Sequence, residues 1–219
     1  DLIAENPNIS PELLSILAKD EKSSVRYSVA GNQKTLPEVL KVLAKDENSS
    51  VRYSVAGNEK TLPETLAILA KDEDDFARYS VAQHPNTSPE VLSILAKDKD
   101  DVVRIKIAEN KNTLPETLAI LATDENSSVR DTVAQNPNTS PEVLKVLAKD
   151  ESSYVRYSVA GNEKTLPETL AILATDEDEY VRNAAIENLK KRNLAETIYN
   201  KVRSEEHTSE LQSRFGISY

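Results

Sequence analysis

Cysteine, methionine and tryptophan are absent from the 219 residues, glycine occurs four times and histidine twice. Without cysteine there is no disulfide framework, thiolate metal site, thiol nucleophile or iron–sulfur ligation. His84 and His207 leave little for imidazole chemistry, and no Ser/His/Asp set can be assembled. The three glycines ahead of the last seventeen residues are isolated, so no glycine-rich phosphate loop exists. No apolar run approaches the roughly 20 residues of a membrane span. A net charge of −10 argues against nucleic-acid binding, which rests on clustered Lys and Arg. The runs Asp46-Glu47, Asp72-Glu73-Asp74-Asp75 and Asp176-Glu177-Asp178-Glu179 lack the spaced pattern of a calcium loop and read as solvated turns. The expectation is a protein without catalytic residues, cofactor, metal, membrane or nucleic-acid partner, placed in the cytoplasm.

Both ends are atypical. Asp1 stands where a methionine would, so the chain reads as a fragment and its lack of a signal peptide is uninformative. Residues 203–213, Arg-Ser-Glu-Glu-His-Thr-Ser-Glu-Leu-Gln-Ser, with Ile217-Ser218-Tyr219, resemble the in-frame translation of a common short-read sequencing adapter. Residues 203–219 are therefore expected to be a non-native tail, from a metagenomic source, and carry no functional argument. Removing their two arginines and three glutamates changes the net charge only to −9.

What is present is a period. Val-Arg recurs at 25, 51, 103, 129, 155 and 181, with Ala77-Arg78 filling the gap, always 26 residues apart. Val51–Asp74 and Val155–Asp178 differ only at Lys71 against Thr175. The period divides the chain into a partial repeat at 1–24, full repeats over 25–180 and a divergent last repeat at 181–202, the whole array spanning 1–202.

Each repeat reads as two short helices. In Thr61-Leu62-Pro63-Glu64-Thr65-Leu66-Ala67-Ile68-Leu69-Ala70, Thr61 and Glu64 have capping-box spacing and Pro63 fits a first turn. The same cap is expected at Thr35, Thr87, Thr113, Thr139 and Thr165, with Ser10 standing in beside Ile9. Leu66, Leu69 and Ala70 form one buried stripe. The other helix, Val51 to Ala56, is expected to be shorter, one or two turns and partly 3₁₀. It buries Val51, Val55 and Ala56 and ends at Gly57-Asn58, both tolerant of left-handed geometry. Nothing alternates with period two, so no strand is expected. A few aliphatics per repeat cannot offset the ordering of 26 residues, so each repeat must bury itself against the next: an open all-α solenoid.

The signature Val-Arg-x-x-Val-Ala-x-Asn-x-x-Thr-x-Pro-Glu-x-Leu-x-x-Leu-Ala-x-Asp, over residues 1 to about 190, resembles the leucine-rich repeat variant family of bacterial proteins. That resemblance implies alternating α and 3₁₀ helices in a right-handed superhelix. These repeats are slightly longer than is usual there, which places extra length in the loop at Asn48-Ser49-Ser50. Some members carry an iron–sulfur segment ahead of the array, whose cysteines have no counterpart here. More distantly, an Asp six residues before an Arg resembles HEAT repeats.

Invariant polar positions are expected to be structural. Asp46, Arg52, Asp72, Arg78, Asp98, Arg104, Asp124, Arg130, Asp150 and Arg156 belong to a ladder of carboxylates and guanidinia joining repeats. The recurring Asn at 6, 32, 58, 110, 136, 162 and 188, replaced once by His84, is expected to cap the helix end or bond backbone in the turn. The functional signal lies where repeats differ: Tyr27, Tyr53, Tyr79, Ile105, Asp131 and Tyr157 share one position, expected to face outward with Ser54, Lys106 and Thr132. A tyrosine row suits a recognition surface. The last repeat loses Pro-Glu and turns basic at Lys190-Lys191-Arg192, fitting a terminal cap, and Asn193 is expected to open one more helix. At the other end Leu2 and Ile3 begin mid-repeat, so end-to-end self-association is expected. The function expected is a non-catalytic scaffold for a protein or peptide partner. The alternative is an accessory module of a redox or cofactor-handling protein whose active segment lies elsewhere.

Overall fold

The computed structural model describes residues 2–193. The tail at 203–219, and the part of the last repeat beyond Asn193, lie outside the described residues. Every regular element among the described residues is an α-helix. They fall into two compact units, Asp1–Ser140 and Pro141–Tyr219.

In the first unit, seven-residue helices alternate with nine-residue ones. The short helices are α1 (Pro11–Leu17), α3 (Pro37–Leu43), α5 (Pro63–Leu69), α7 (Pro89–Leu95) and α9 (Pro115–Leu121). The long ones are α2 (Ser23–Gly31), α4 (Ser49–Gly57), α6 (Asp75–Gln83), α8 (Asp101–Glu109) and α10 (Ser127–Gln135). The second unit continues with α11 (Pro141–Leu147), α12 (Ser153–Gly161), α13 (Pro167–Leu173) and α14, helical over residues 179–193.

The expected order of lengths is reversed, and no 3₁₀ helix is present among the described residues. The Val-Arg helix is longer because it starts two residues early. Ser49 and Ser50, expected in the loop, form its first turn, and the Asn48 side chain accepts from the Ser50 N–H. Asp74, Asp100 and Asn126 cap α6, α8 and α10 in the same way. These helices end on Asn or His in extended geometry, Asn58 having φ −80° and ψ 121°, so the expected left-handed terminator is absent.

The long helices form the close-packed layer of the first unit. Within the unit α2, α4, α6, α8 and α10 lie each against the next, while α3, α5, α7 and α9 pack between their flanking long helices and α1 packs against α2. Small residues allow that approach: Ala30, Ala56, Ala82 and Ala108 are fully buried, beside buried Ser28, Ser54 and Ser80. Val51, Val55, Leu66, Leu69 and Ala70 are buried as the spacing requires, and Thr65 joins them. At the Thr65 position the repeats alternate, Val39, Thr65, Val91, Thr117 and, in the second unit, Val143 and Thr169.

Candidate partner surface

The turn after each long helix is built from buried polar side chains. Asn58 Nδ2 donates to the carbonyls of Ala30 (2.7 Å) and Asn32 (3.1 Å), one repeat back, while its Oδ1 accepts from the Lys60 N–H. Asn32, Asn110 and, within the second unit, Asn188 reach back to Ala4, Ala82 and Ala160 in the same way. Asn188 keeps this bond although α14 runs straight through it, without the usual turn and proline. Asn193 is the last described residue of α14, and the helix expected to open from it lies outside the described residues.

His84 performs the task of the asparagine it replaces. Its Nδ1 accepts from the Asn86 N–H (3.0 Å), so the proton sits on Nε2, which donates to the Asn58 carbonyl (3.0 Å). Burial pushes its pKa below 6.5, against the opposing pull of that carbonyl. The neutral ring is spent on backbone and offers no free base.

The expected threonine caps are elsewhere. Thr61 Oγ1 is buried and donates to the Val55 carbonyl at 2.5 Å, and Thr35, Thr87, Thr113, Thr139 and Thr165 do likewise six residues back. Leu62 takes the N-cap position of α5, without a side-chain bond, so no capping box forms with Glu64. Where a serine occupies that position it does cap: Ser10 accepts from Leu13 N–H and Ser88 from Val91 N–H.

The arginines and aspartates pair over twenty residues, not six. Arg104 Nε and Nη2 fork onto the Asp124 carboxylate of the next repeat (2.6 and 2.9 Å), while Nη1 donates to the backbone carbonyl of Asp98 (2.8 Å). Arg26 with Asp46, Arg52 with Asp72, Arg78 with Asp98 and, in the second unit, Arg156 with Asp176 repeat that fork. Arg130 Nη1 donates to the Asp124 carbonyl, and the Asp150 carbonyl accepts from Arg156. Burial alone would raise the carboxyls of Asp46, Asp72, Asp98 and Asp124. The guanidinium hydrogen bond and a backbone N–H two residues on outweigh it and hold them below 3.8.

With these groups consumed internally, the variable positions remain. Tyr27, Tyr53 and Tyr79 stand on α2, α4 and α6 one repeat apart, followed by Ile105 on α8 and Asp131 on α10; Tyr157 is on α12 of the second unit. Tyr27, Tyr53 and Tyr157 are 43%, 39% and 50% exposed, whereas Tyr79, Ile105 and Asp131 are half-buried. Ser54, expected to face outward, is buried, its Oγ donating to the Tyr27 carbonyl at 3.2 Å. Lys106 and Thr132 are half-buried.

Two apolar features escaped the sequence reading. Phe76, 65% exposed at the end of its repeat, joins Tyr53, Tyr79 and Val102 around a hollow of about 470 Å³, with Asp75 and Asp100 on its rim. A second hollow of about 510 Å³ lies between Tyr27 and Tyr53. The short helices expose Ile16, Val42, Ile68, Ile94 and Ile120, one per repeat, the last four each next to a buried leucine. The recurrence of an Ile or Val just before the last leucine of each short helix was the available signal.

Among the described residues no group of His, Asp and Glu is placed to hold a metal ion, and no helix is long and apolar enough to cross a membrane.

No protein-family model matches this chain, and no curated protein does. Solved structures do. A leucine-rich repeat variant, described as having a novel repetitive structural motif, is 29% identical over 81% of this chain and 71% of its own, with a TM-score of 0.66. The Escherichia coli protein YibA is 23% identical over 80% of this chain and 76% of its own (TM-score 0.49). An engineered protein is 20% identical over 83% and 96% (TM-score 0.41). The resemblance read from the repeat signature thus has a counterpart in backbone structure. The chain is an all-α helical repeat protein whose backbone is similar to that of a leucine-rich repeat variant.

Proposed function

We propose that this array is a non-catalytic scaffold presenting its tyrosine row to a protein or peptide. One observation carries the reading. The recurring Arg, Asp and Asn side chains of the first unit are taken up in contacts between repeats, while Tyr27 and Tyr53, at one position of successive long helices, stay more than a third exposed. Tyrosines supply broad, rigid contact area with a hydroxyl each, and at one-repeat spacing they offer it periodically. The Arg/Asp forks act as joints between repeats and do not grip a ligand. The alternative accessory role beside a redox or cofactor-handling segment draws on family resemblance alone.

Affinity capture from the native host tests this, with the native array and a Tyr27→Ser/Tyr53→Ser/Tyr157→Ser variant as baits. A partner retained by the native array and lost from the variant, at equal helicity by circular dichroism, is the expected result. Identical capture by both baits would overturn the reading.

A further inference from the structure

The first unit contains a worked example of what its tyrosines accept. Lys106, on α8, lays its ammonium over the Tyr79 ring of the preceding repeat, 5.7 Å from the centroid, and Glu109 Oε2 accepts from it at 2.6 Å. That distance is within the range in which a ring quadrupole attracts a cation.

One repeat earlier the same position is Ser80, and two repeats earlier it is Ser54. The contact of Ser54 Oγ with the Tyr27 carbonyl shows that this position lies beside the tyrosine of the preceding repeat here too. Tyr27 and Tyr53 therefore repeat the Tyr79 arrangement with a short hydroxyl where Tyr79 has an ammonium, and both are more than a third exposed.

Charge points the same way. Asp75 and Asp100 rim the hollow formed by Tyr53, Phe76, Tyr79 and Val102. The segments 73–75 and 99–101, leading into α6 and α8, hold Glu73, Asp74, Asp75, Asp100 and Asp101 against a single Lys99. A cation entering there gains from the acidic rim as well as from the ring.

Resting on the proposed partner surface, we infer that Tyr27 and Tyr53 receive lysine or arginine side chains of an extended basic peptide, one cation per repeat. Packed helices are about 8–10 Å apart and an extended chain advances about 3.3 Å per residue, so the cations recur at every third residue. The motif is Lys-x-x-Lys, with Lys106 occupying the third ring from within.

Fluorescence anisotropy at low salt tests this, with labelled Lys-Ala-Ala-Lys-Ala-Ala-Lys as the probe and its norleucine counterpart, which keeps the stems and lacks the charge, as control. The lysine peptide is expected to bind and the norleucine peptide to bind at least fivefold more weakly. Tyr53→Leu should weaken the lysine peptide about fivefold, the effect of one exposed cation–ring contact. Ser80→Lys/Gln83→Glu copies the Lys106–Glu109 pair one repeat earlier and should compete it away. Because Ser80 is buried, Lys106→Ser is the second arm: it installs the residue found in neighbouring repeats, frees the Tyr79 ring and should tighten binding. No binding, or indifference to Lys106→Ser, overturns the inference. Equal binding of the norleucine peptide, lost in Tyr53→Leu, overturns it too but leaves the partner-surface reading standing.

Discussion

An ion pair, a histidine and a threonine set the residue-scale energetics. The Arg104 guanidinium and the Asp124 carboxylate are each about nine-tenths buried, so removing either strands a charge. Asp124→Ala should cost about 3 kcal/mol in chemical denaturation. In a double-mutant cycle Arg104→Ala and Asp124→Ala should be strongly non-additive, whereas Arg104→Ala and Asp98→Ala should be nearly additive, since Asp98 offers Arg104 only its backbone carbonyl. Strong coupling over six residues and none over twenty would contradict the observed fork. His84 supplies a pH dependence. Its folded-state pKa is depressed, so the unfolded chain binds the proton more readily, and stability falls as pH drops below 6.5. Thermal unfolding between pH 7.5 and 5 should show that decline in the native protein and a flatter profile in His84→Asn. A protonated ring would also set a second N–H against the Asn86 N–H that Nδ1 now accepts. Below pH 4 the aspartates of the forks add a further loss, because their pKa values are depressed and their stabilisation disappears on protonation. Thr169 has a buried hydroxyl without a hydrogen bond at a position where alternate repeats carry valine. Thr169→Val should therefore raise stability by about 1 kcal/mol in urea titration.

At the scale of the element, what ends a helix decides what glycine is for. Gly31 and Gly57 close α2 and α4, and neither has a positive φ. A Cβ at Gly57 meets nothing within 4 Å, while one at Gly31 meets Ser54 Oγ at 3.2 Å. Gly57→Ala should stabilise by about 0.5–1 kcal/mol by narrowing the unfolded ensemble, and Gly31→Ala by less, since Ser54 must give way. Differential scanning calorimetry of the two variants reads the contrast directly. The buried stripe of Leu66, Leu69 and Ala70 was legible from its spacing, and so was the face made by Val51, Val55 and Ala56. The helix starts were not. Thr61 has both the residue type and the spacing of a cap, yet its buried hydroxyl turns inward to the Val55 carbonyl of the previous helix, which also accepts from the Asn58 N–H. In that dry setting a hydroxyl left without a partner costs more than an uncapped solvent-facing N–H. Local pattern carries no information on which side of the turn is the buried one.

For the molecule as a whole, stability resides in what passes between repeats. Within the first unit each repeat is held by a valine–alanine face, an Arg/Asp fork and an asparagine or histidine reaching back one repeat. Residues 51–76 are one full period, and removing them brings Ser50 onto Ala77 in the same register. The shortened array should still unfold cooperatively, with a smaller denaturant m-value because less surface is exposed. Loss of cooperativity on that excision would argue against nearest-neighbour packing as the source of stability.

The sequence by itself determined the period, the two-helix repeat, the absence of strand patterning and the buried aliphatic stripes, because a 26-residue recurrence and 3.6-residue spacing are properties of a linear chain. It also marked the tyrosine position as variable and polar-faced. Only the tertiary structure decided that Arg104 grips Asp124 instead of Asp98, that Ser54 is buried while Phe76 is exposed, and that Lys106 covers Tyr79. Each is a contact between one repeat and the next, and in a nearly identical array every repeat presents the same candidates. Sequence spacing cannot choose among equivalent partners; packing distance can.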